Sequence, residues 1–239
     1  MSVARRPASV PSIAGNHLLA ALTDDEVDRM TASLELEHLA PGMLLLDEGH
    51  GAERVYFPTT CVAARFCTVD NGVTVEQNIV GCEGFVGVPA VLGGGAMPWR
   101  VEAIIAGDAL RMPAAALVAE FQRGGALQRL LLRYVQQLIV QVSSEAVCRT
   151  LHKVEQRLAR LLLQLAEQRS SPELPLTQES LGLLLGARRE TVCHATARLE
   201  DQGGIRHGRG YVTVLDAEQL RMSACECCRA APGRPARAT

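Results

Sequence analysis

From Ala126 to His152 the chain runs for 27 residues without a glycine or a proline, directly after the pair Gly124-Gly125. Leu127, Leu131, Val135, Leu138 and Val142 recur along it at three- to four-residue spacing, which places them on one stripe of an α-helix. At 1.5 Å per residue such a helix is about 40 Å long. That is more than a small domain covers by itself, so the stripe reads as a dimer seam carried by Leu131, Val135, Leu138 and Val142. The helix also divides the chain, because the residues before it and those after it differ in texture.

Before it, residues 1–16 form a lead-in. Arg5 and Arg6 are followed by Pro7 and Pro11 rather than by the apolar core of a signal peptide, so this stretch is expected to be disordered and unprocessed. Residues 17–37 carry Leu18, Leu19, Leu22, Val27, Met30 and Leu34 at near-helical spacing, with Thr23 and Glu26 placed as a capping box. From about 39 to 113 the pattern changes to short apolar runs separated by Gly and Pro: 43–46, 55–57, 62–69, 73–79, 101–105 and 109–112. Asn71-Gly72, between two of these runs, signals a two-residue hairpin turn. Many short strands at regular intervals predict a small roll or barrel, and the fold class is α+β.

After the long helix, residues 154–168 place Leu158, Leu161, Leu162 and Leu165 on one helical face. Thr177 can then cap a short helix with Leu181, Leu184 and Leu185 inward, and Gly182 leaves room for a neighbouring helix. Gly186 suits a left-handed stop. A second helix follows, burying Val192, Ala195 and Leu199 and projecting Arg189, Glu190, Cys193 and His194. Two short helices joined by such a turn form the unit that seats a recognition helix in the major groove. Ile205 and residues 211–215 supply a strand pair turned by Gly208 and Gly210, which is a wing. The whole chain has a formal charge of −2. Between 187 and 211, however, five arginines (Arg188, Arg189, Arg198, Arg206, Arg209) face three acids, Glu190, Glu200 and Asp201, so the local balance favours DNA.

Leu176-Thr177-Gln178-Glu179, the run from Gly186 to Val192, the run from Arg198 to Gly203 and the run from Gly210 to Asp216 resemble the C-terminal pattern of the Crp/Fnr superfamily of bacterial regulators. The resemblance extends over residues 18 to about 220. It implies a cyclic-nucleotide-binding-like roll, a dimerisation helix and a winged helix that reads a palindromic site. It places Arg189, Glu190 and His194 at the base-contacting positions, with Arg able to pair with guanine and Glu with a cytosine amino group. Thr177, Arg188, Arg198, Arg206 and Arg209 then meet the DNA backbone. Two residues depart from the family: His194 stands where Arg is frequent, and Gly204 replaces an apolar residue, which predicts looser packing under the wing. The implied partners are double-stranded DNA, a second copy of the chain and, for an activator, RNA polymerase.

Relatives that bind cyclic AMP hold its phosphate with an Arg-Ser pair and its ribose with a Gly-Glu pair. Here Gly87 is followed by Val88, and Met97 and Pro98 align with the Arg-Ser pair. Cyclic AMP is therefore not the expected effector. Gly87, Val88, Arg100, Ser143 and Ser144 mark the pocket that a different small molecule would use. No cofactor is identified. An iron-sulfur site of the fumarate-nitrate type needs cysteines near the N-terminus, whereas the first here is Cys61, and haem would have to rely on His17, His38 or His50.

Cys61, Cys67, Cys82, Cys148 and Cys193 are scattered and read as reduced thiols. Cys225, Cys227 and Cys228 are clustered, and are either a reduced tail or soft ligands to a metal with Cys193 as a conceivable fourth. No Ser-His-Asp grouping or phosphate loop is present, since Gly93-Gly94-Gly95 lacks a following Lys. An enzyme is not expected. The divisions are a lead-in at 1–16, a roll at 17–123, a dimerisation helix at 124–152, a winged helix-turn-helix at 153–222 and a Cys-containing tail at 223–239. The expected protein is a cytoplasmic DNA-binding regulator without a membrane partner. The alternatives are a redox- or metal-responsive regulator using its cysteines, or an interaction protein that does not bind DNA.

Overall fold

The computed structural model describes residues 13–227 except 71, 73 and 170. Asn16 is fully buried. Its Oδ1 accepts the N–H groups of Leu18 and Leu19 and so caps α1 (His17–Ala20), while its Nδ2 donates to the carbonyls of Pro58 and Gly84. An amide satisfied on all sides must be ordered. The lead-in expected to reach residue 16 is therefore structured from at least Ile13; its residues 1–12 lie outside the described residues.

The helix expected over 17–37 is interrupted twice. The Thr23 N–H is accepted by the Glu26 carboxylate at 3.2 Å, the capping box that starts α2 (Asp24–Thr31). Glu35–Leu39 then form strand β1 instead of helix. Its partner β7 (Gly107–Pro113) supplies the ladder, and Arg111 bridges Glu35 and Glu37 at 2.8 and 3.1 Å. Glu26 also reaches across the chain, where its other carboxylate oxygen accepts the Leu127 N–H at 3.0 Å and caps the long helix.

The roll comprises β1 and β7 with β3 (Arg54–Pro58) in the order β1-β7-β3, facing a second antiparallel sheet. That sheet holds β2 (Leu44–Leu46), β6 (Arg100–Ile105), β4 (Val62–Thr68) and β5 (Thr74–Val80) in the order β2-β6-β4-β5. The β4–β5 hairpin is longer than Asn71-Gly72 suggests. Thr68 pairs with Thr74, leaving five residues between strands, and Gly72, at φ 81°, donates its N–H to the Val69 carbonyl. Short α3 (Val88–Val91) packs on α4 (Ala114–Gln122), which rests on β3 and β7.

The long helix is α5 (Ala126–Leu151). Two apolar stripes run along it, and the roll covers the one expected to be the seam. Leu127, Leu131 and Leu138 are buried in the roll's own core beside Phe85 and Tyr134, whose rings lie 5.4 Å apart. Leu131 and Leu138 are therefore corrected from seam to core, Val135 is half-buried and Val142 is exposed. The uncovered large apolar side chains are Leu132, Ile139, Val140, Val142, Val147 and Leu151.

The remainder is α6 (Val154–Arg169), β8 (Glu173–Leu174), α7 (Gln178–Leu185), α8 (Arg189–Asp201), β9 (Ile205–Gly208), β10 (Tyr211–Val214) and α9 (Ala217–Ser223). Its core of Leu158, Leu162, Leu181, Val192, Leu199 and Leu220 is continuous with Val62, Ala64, Phe66, Ile79 and Ile105 of the roll. At this junction Arg149, near the end of α5, donates to the Glu76 carboxylate at 2.6 Å and to the Glu76 carbonyl at 2.8 Å. Burial pushes the Glu76 carboxyl up to about 7, against the pull of Arg149. No helix among the described residues is long and apolar enough to cross a membrane.

Candidate nucleic-acid interface

The turn between α7 and α8 is fixed by backbone bonds. Thr177 Oγ1 accepts the Ser180 N–H at 3.0 Å and starts α7. Gly186 ends it in the left-handed region, at φ 57° and ψ 43°, with its N–H on the Leu183 carbonyl and the Ala187 N–H on the Gly182 carbonyl. This is a Schellman closure. Gly182 makes room for that turn, not for a neighbouring helix: a Cβ there would lie 3.1 Å from the Ala187 carbonyl oxygen.

The closure aims α8 outward. Val192, Ala195, Thr196 and Leu199 are buried, and Arg189, Glu190, Cys193 and His194 are exposed on the opposite face. Arg188 is exposed immediately before the helix. The wing is β9 and β10, joined through Arg209-Gly210, and β8 adds an unexpected third strand through the Leu174 and Val212 pairing. Gly208 has no room for a side chain beneath the Tyr211 ring. Arg206 and Arg209 are exposed on the wing. Two acids of the region are engaged within the protein: Glu200 accepts the His207 N–H at 3.0 Å, and Glu155 pairs with Arg198 at 3.2 Å. Arg198 is thus already shared with an acid, whereas Arg188, Arg189, Arg206 and Arg209 have no acidic partner among the described residues and keep their charge for a ligand.

Gly204 is buried under the wing, and a Cβ there would meet its nearest neighbours at 3.5–3.7 Å, an ordinary contact distance. Its φ lies outside the left-handed region. Gly204→Ala is therefore expected to stabilise the fold by about 0.4–1 kcal/mol through the unfolded chain, and thermal unfolding of the two proteins checks this.

In the roll, Gly87 and Val88 do line a cavity, together with Arg65, Asn78, Trp99 and Tyr134. Its free space of about 10 Å³ is roughly that of one water molecule. The Arg65 guanidinium forms part of its wall, lying 4.6 Å above the Trp99 ring. Arg100, Ser143 and Ser144 are not in this lining. Arg100 faces Glu102 at 3.3 Å, and the Ser143 hydroxyl donates to the Ile139 carbonyl of its own helix. Sequence reasoning missed Arg65, a charged residue in the run Val62-Ala63-Ala64-Arg65-Phe66, and Asn78, which follows Glu76 and Gln77 and so carried no such signal. His38 and His50 are exposed and face Asp108 and Asp47.

The tail also departs from expectation. Cys193 is on the exposed face of α8, whereas Cys225 is buried against Cys148, with the sulfurs 3.5 Å apart, and Cys227 reaches His152. Cys193 is therefore not placed with them, and Cys228 lies outside the described residues.

Residues 156–223 match the family model of the Crp-like helix-turn-helix domain. No curated protein matches the chain. Among solved structures, FixK2 from Bradyrhizobium japonicum is 17% identical over 80% of this chain and 98% of its own, with a TM-score of 0.69. TTHB099, a CRP-family transcriptional regulator from Thermus thermophilus, is 20% identical over 80% of this chain and 99% of its own, at 0.66. The global regulator CLP of Xanthomonas campestris is 14% identical over 80% and 99%, at 0.65. The exposed second helix, its winged support and the roll ahead of them thus agree: residues 156–223 are a Crp-like helix-turn-helix domain, carried on a chain with the fold of the Crp/Fnr transcription regulators.

Proposed function

We propose that this protein is a homodimeric transcription regulator that reads a palindromic DNA site and answers to an effector other than cyclic AMP. The carrying observation is the outer face of α8, where Arg189, Glu190 and His194 are exposed together beside the wing arginines. Arg189 pairs with a guanine, Glu190 accepts from a cytosine amino group, and His194 adds a third base contact. Thr177, Arg188, Arg198, Arg206 and Arg209 hold the phosphates. Selection of bound duplexes from a random pool tests this reading: a two-fold symmetric site with half-sites about one helical turn apart is the expected product. Recovery of unrelated sequences would overturn it.

The dimer uses the uncovered stripe of α5, namely Leu132, Ile139, Val142 and Val147. Ile139→Glu is expected to shift the chain from dimer to monomer in sedimentation without unfolding it, because Ile139 is 57% exposed. Leu138→Glu instead unfolds the roll. A persistent Ile139→Glu dimer would place the seam elsewhere.

Two features support an effector other than cyclic AMP. Val88 and Met97 are buried apolar side chains where a phosphate needs donors, and the cavity beside Arg65 has free space of only about 10 Å³. Calorimetry is expected to show no cyclic AMP binding at micromolar concentrations. In an activator, RNA polymerase is the further partner.

A further inference from the structure

We propose that Cys148, His152, Cys225 and Cys227 form a four-coordinate zinc site that fastens the end of the DNA-binding domain to the end of the long helix. Cys148 is in the last turn of α5 and His152 directly follows it, so a spacing of four residues presents both at one helix end. Cys225 and Cys227 approach from beyond α9, and the four ligand atoms all lie within 4.8 Å of one another.

The separations suit a metal. Zinc binds sulfur at about 2.3 Å and nitrogen at about 2.0–2.1 Å, so the edges of its tetrahedron are about 3.5–3.8 Å. Cys148 Sγ and Cys225 Sγ are 3.5 Å apart, and Cys227 Sγ is 3.7 Å from His152 Nδ1. Three thiolates and one imidazole make a donor set that selects zinc over the harder cations.

A second observation concerns the other ring nitrogen. His152 Nε2 lies 3.3 Å from the Glu226 carboxylate. A metal-binding histidine commonly gives its remote N–H to a carboxylate, which fixes the tautomer and turns the free lone pair to the ion. Here that arrangement leaves Nδ1 facing the sulfurs. On binding, the three thiols release three protons to solvent while His152 contributes a neutral lone pair, so the filled centre carries a charge of −1. Arg157 and Arg160 bring positive charge to the neighbourhood of Cys148, with Arg160 shared with Glu145.

The site stands apart from the DNA-binding reading; only its effect on DNA affinity depends on that reading. Elemental analysis of the full-length protein, purified under reductant and incubated with zinc chloride, is expected to give one zinc per chain. Cobalt substitution should give the ligand-field absorption of tetrahedral thiolate-bound cobalt. Cys225→Ser with Cys227→Ser should lose both signals, and Cys193→Ser should keep them. Glu226→Gln retains every ligand and should weaken zinc about 10- to 100-fold, which covers the case in which the double variant fails to fold. Metal-free wild-type protein after incubation, equal zinc in wild type and double variant, or a Cys148–Cys225 disulfide formed in air in place of metal binding would each overturn the site. Loss of DNA affinity on chelation, with α8 variants behaving as argued above, would add the regulatory role; unchanged DNA affinity would confine the zinc to holding the structure.

Discussion

An Arg149→Met variant is expected to lose about 3–5 kcal/mol of folding stability at pH 8, the range for removing one partner of a buried ion pair. The Glu76 side chain is 7% exposed and receives the Arg149 guanidinium at 2.6 Å. The same guanidinium serves the Glu76 carbonyl, so its loss leaves a carboxylate and a backbone acceptor without it. The pH dependence has a definite sign. Folded Glu76 is raised to about 7 by burial, above the roughly 4.3 of an unfolded glutamate. Between those values the folded state holds a proton that the unfolded state has released, so the contribution of Glu76 to stability falls as pH rises through this window and levels off above it. Without Arg149 the carboxyl is raised further, and the deficit widens from pH 5 to pH 8. Urea unfolding at both values measures this, and a Glu76→Gln, Arg149→Met pair should recover much of the loss. A single-variant deficit below about 1 kcal/mol at pH 8 would mean that the pair holds nothing together.

Arg189→Ala should weaken binding to the selected palindrome by about 1–3 kcal/mol per half-site and relax discrimination at one base pair in each. Its guanidinium is exposed at the start of α8 with no ion-pair partner within the described residues. Arg206→Ala and Arg209→Ala should instead weaken specific and random duplexes alike and lower the salt dependence of binding. Arg198→Ala should do so less, because its guanidinium is already shared with Glu155 at 3.2 Å. The comparison is made by titrating each variant with the palindrome and with a scrambled duplex at several salt concentrations. Equal losses on the two duplexes for Arg189→Ala would assign it to the backbone and leave base readout to Glu190 and His194.

The strands of the roll were legible because buried strands separated by turn residues leave short apolar runs: the runs at 55–57, 62–69 and 101–105 differ from β3, β4 and β6 by only a residue or two at their ends. The helix-turn-helix was legible because its caps, Thr177 and Gly186, act locally. Strand β1 was not. Its ladder partner β7 is some seventy residues away along the chain, and local spacing there suits a helix equally well. The two faces of α5 were indistinguishable for a related reason. Leu131 and Leu138 form one stripe, Leu132 and Ile139 the next, and only the position of the roll decides which is covered. Cys148 and His152 did leave a signal, a ligand pair four residues apart at a helix end, but their partners arrive from the other end of the chain.

The shared core has a practical consequence for swapping specificities. Since α6 and α7 rest on β4 and β5, the DNA-reading half has no underside of its own, and residues 153–227 grafted onto a foreign sensor would carry a bare apolar floor. Such a chimera should aggregate unless its host supplies a matching sheet. Retargeting this protein is better done in place, by exchanging the side chains on the outer face of α8, because those side chains can change without disturbing the floor below.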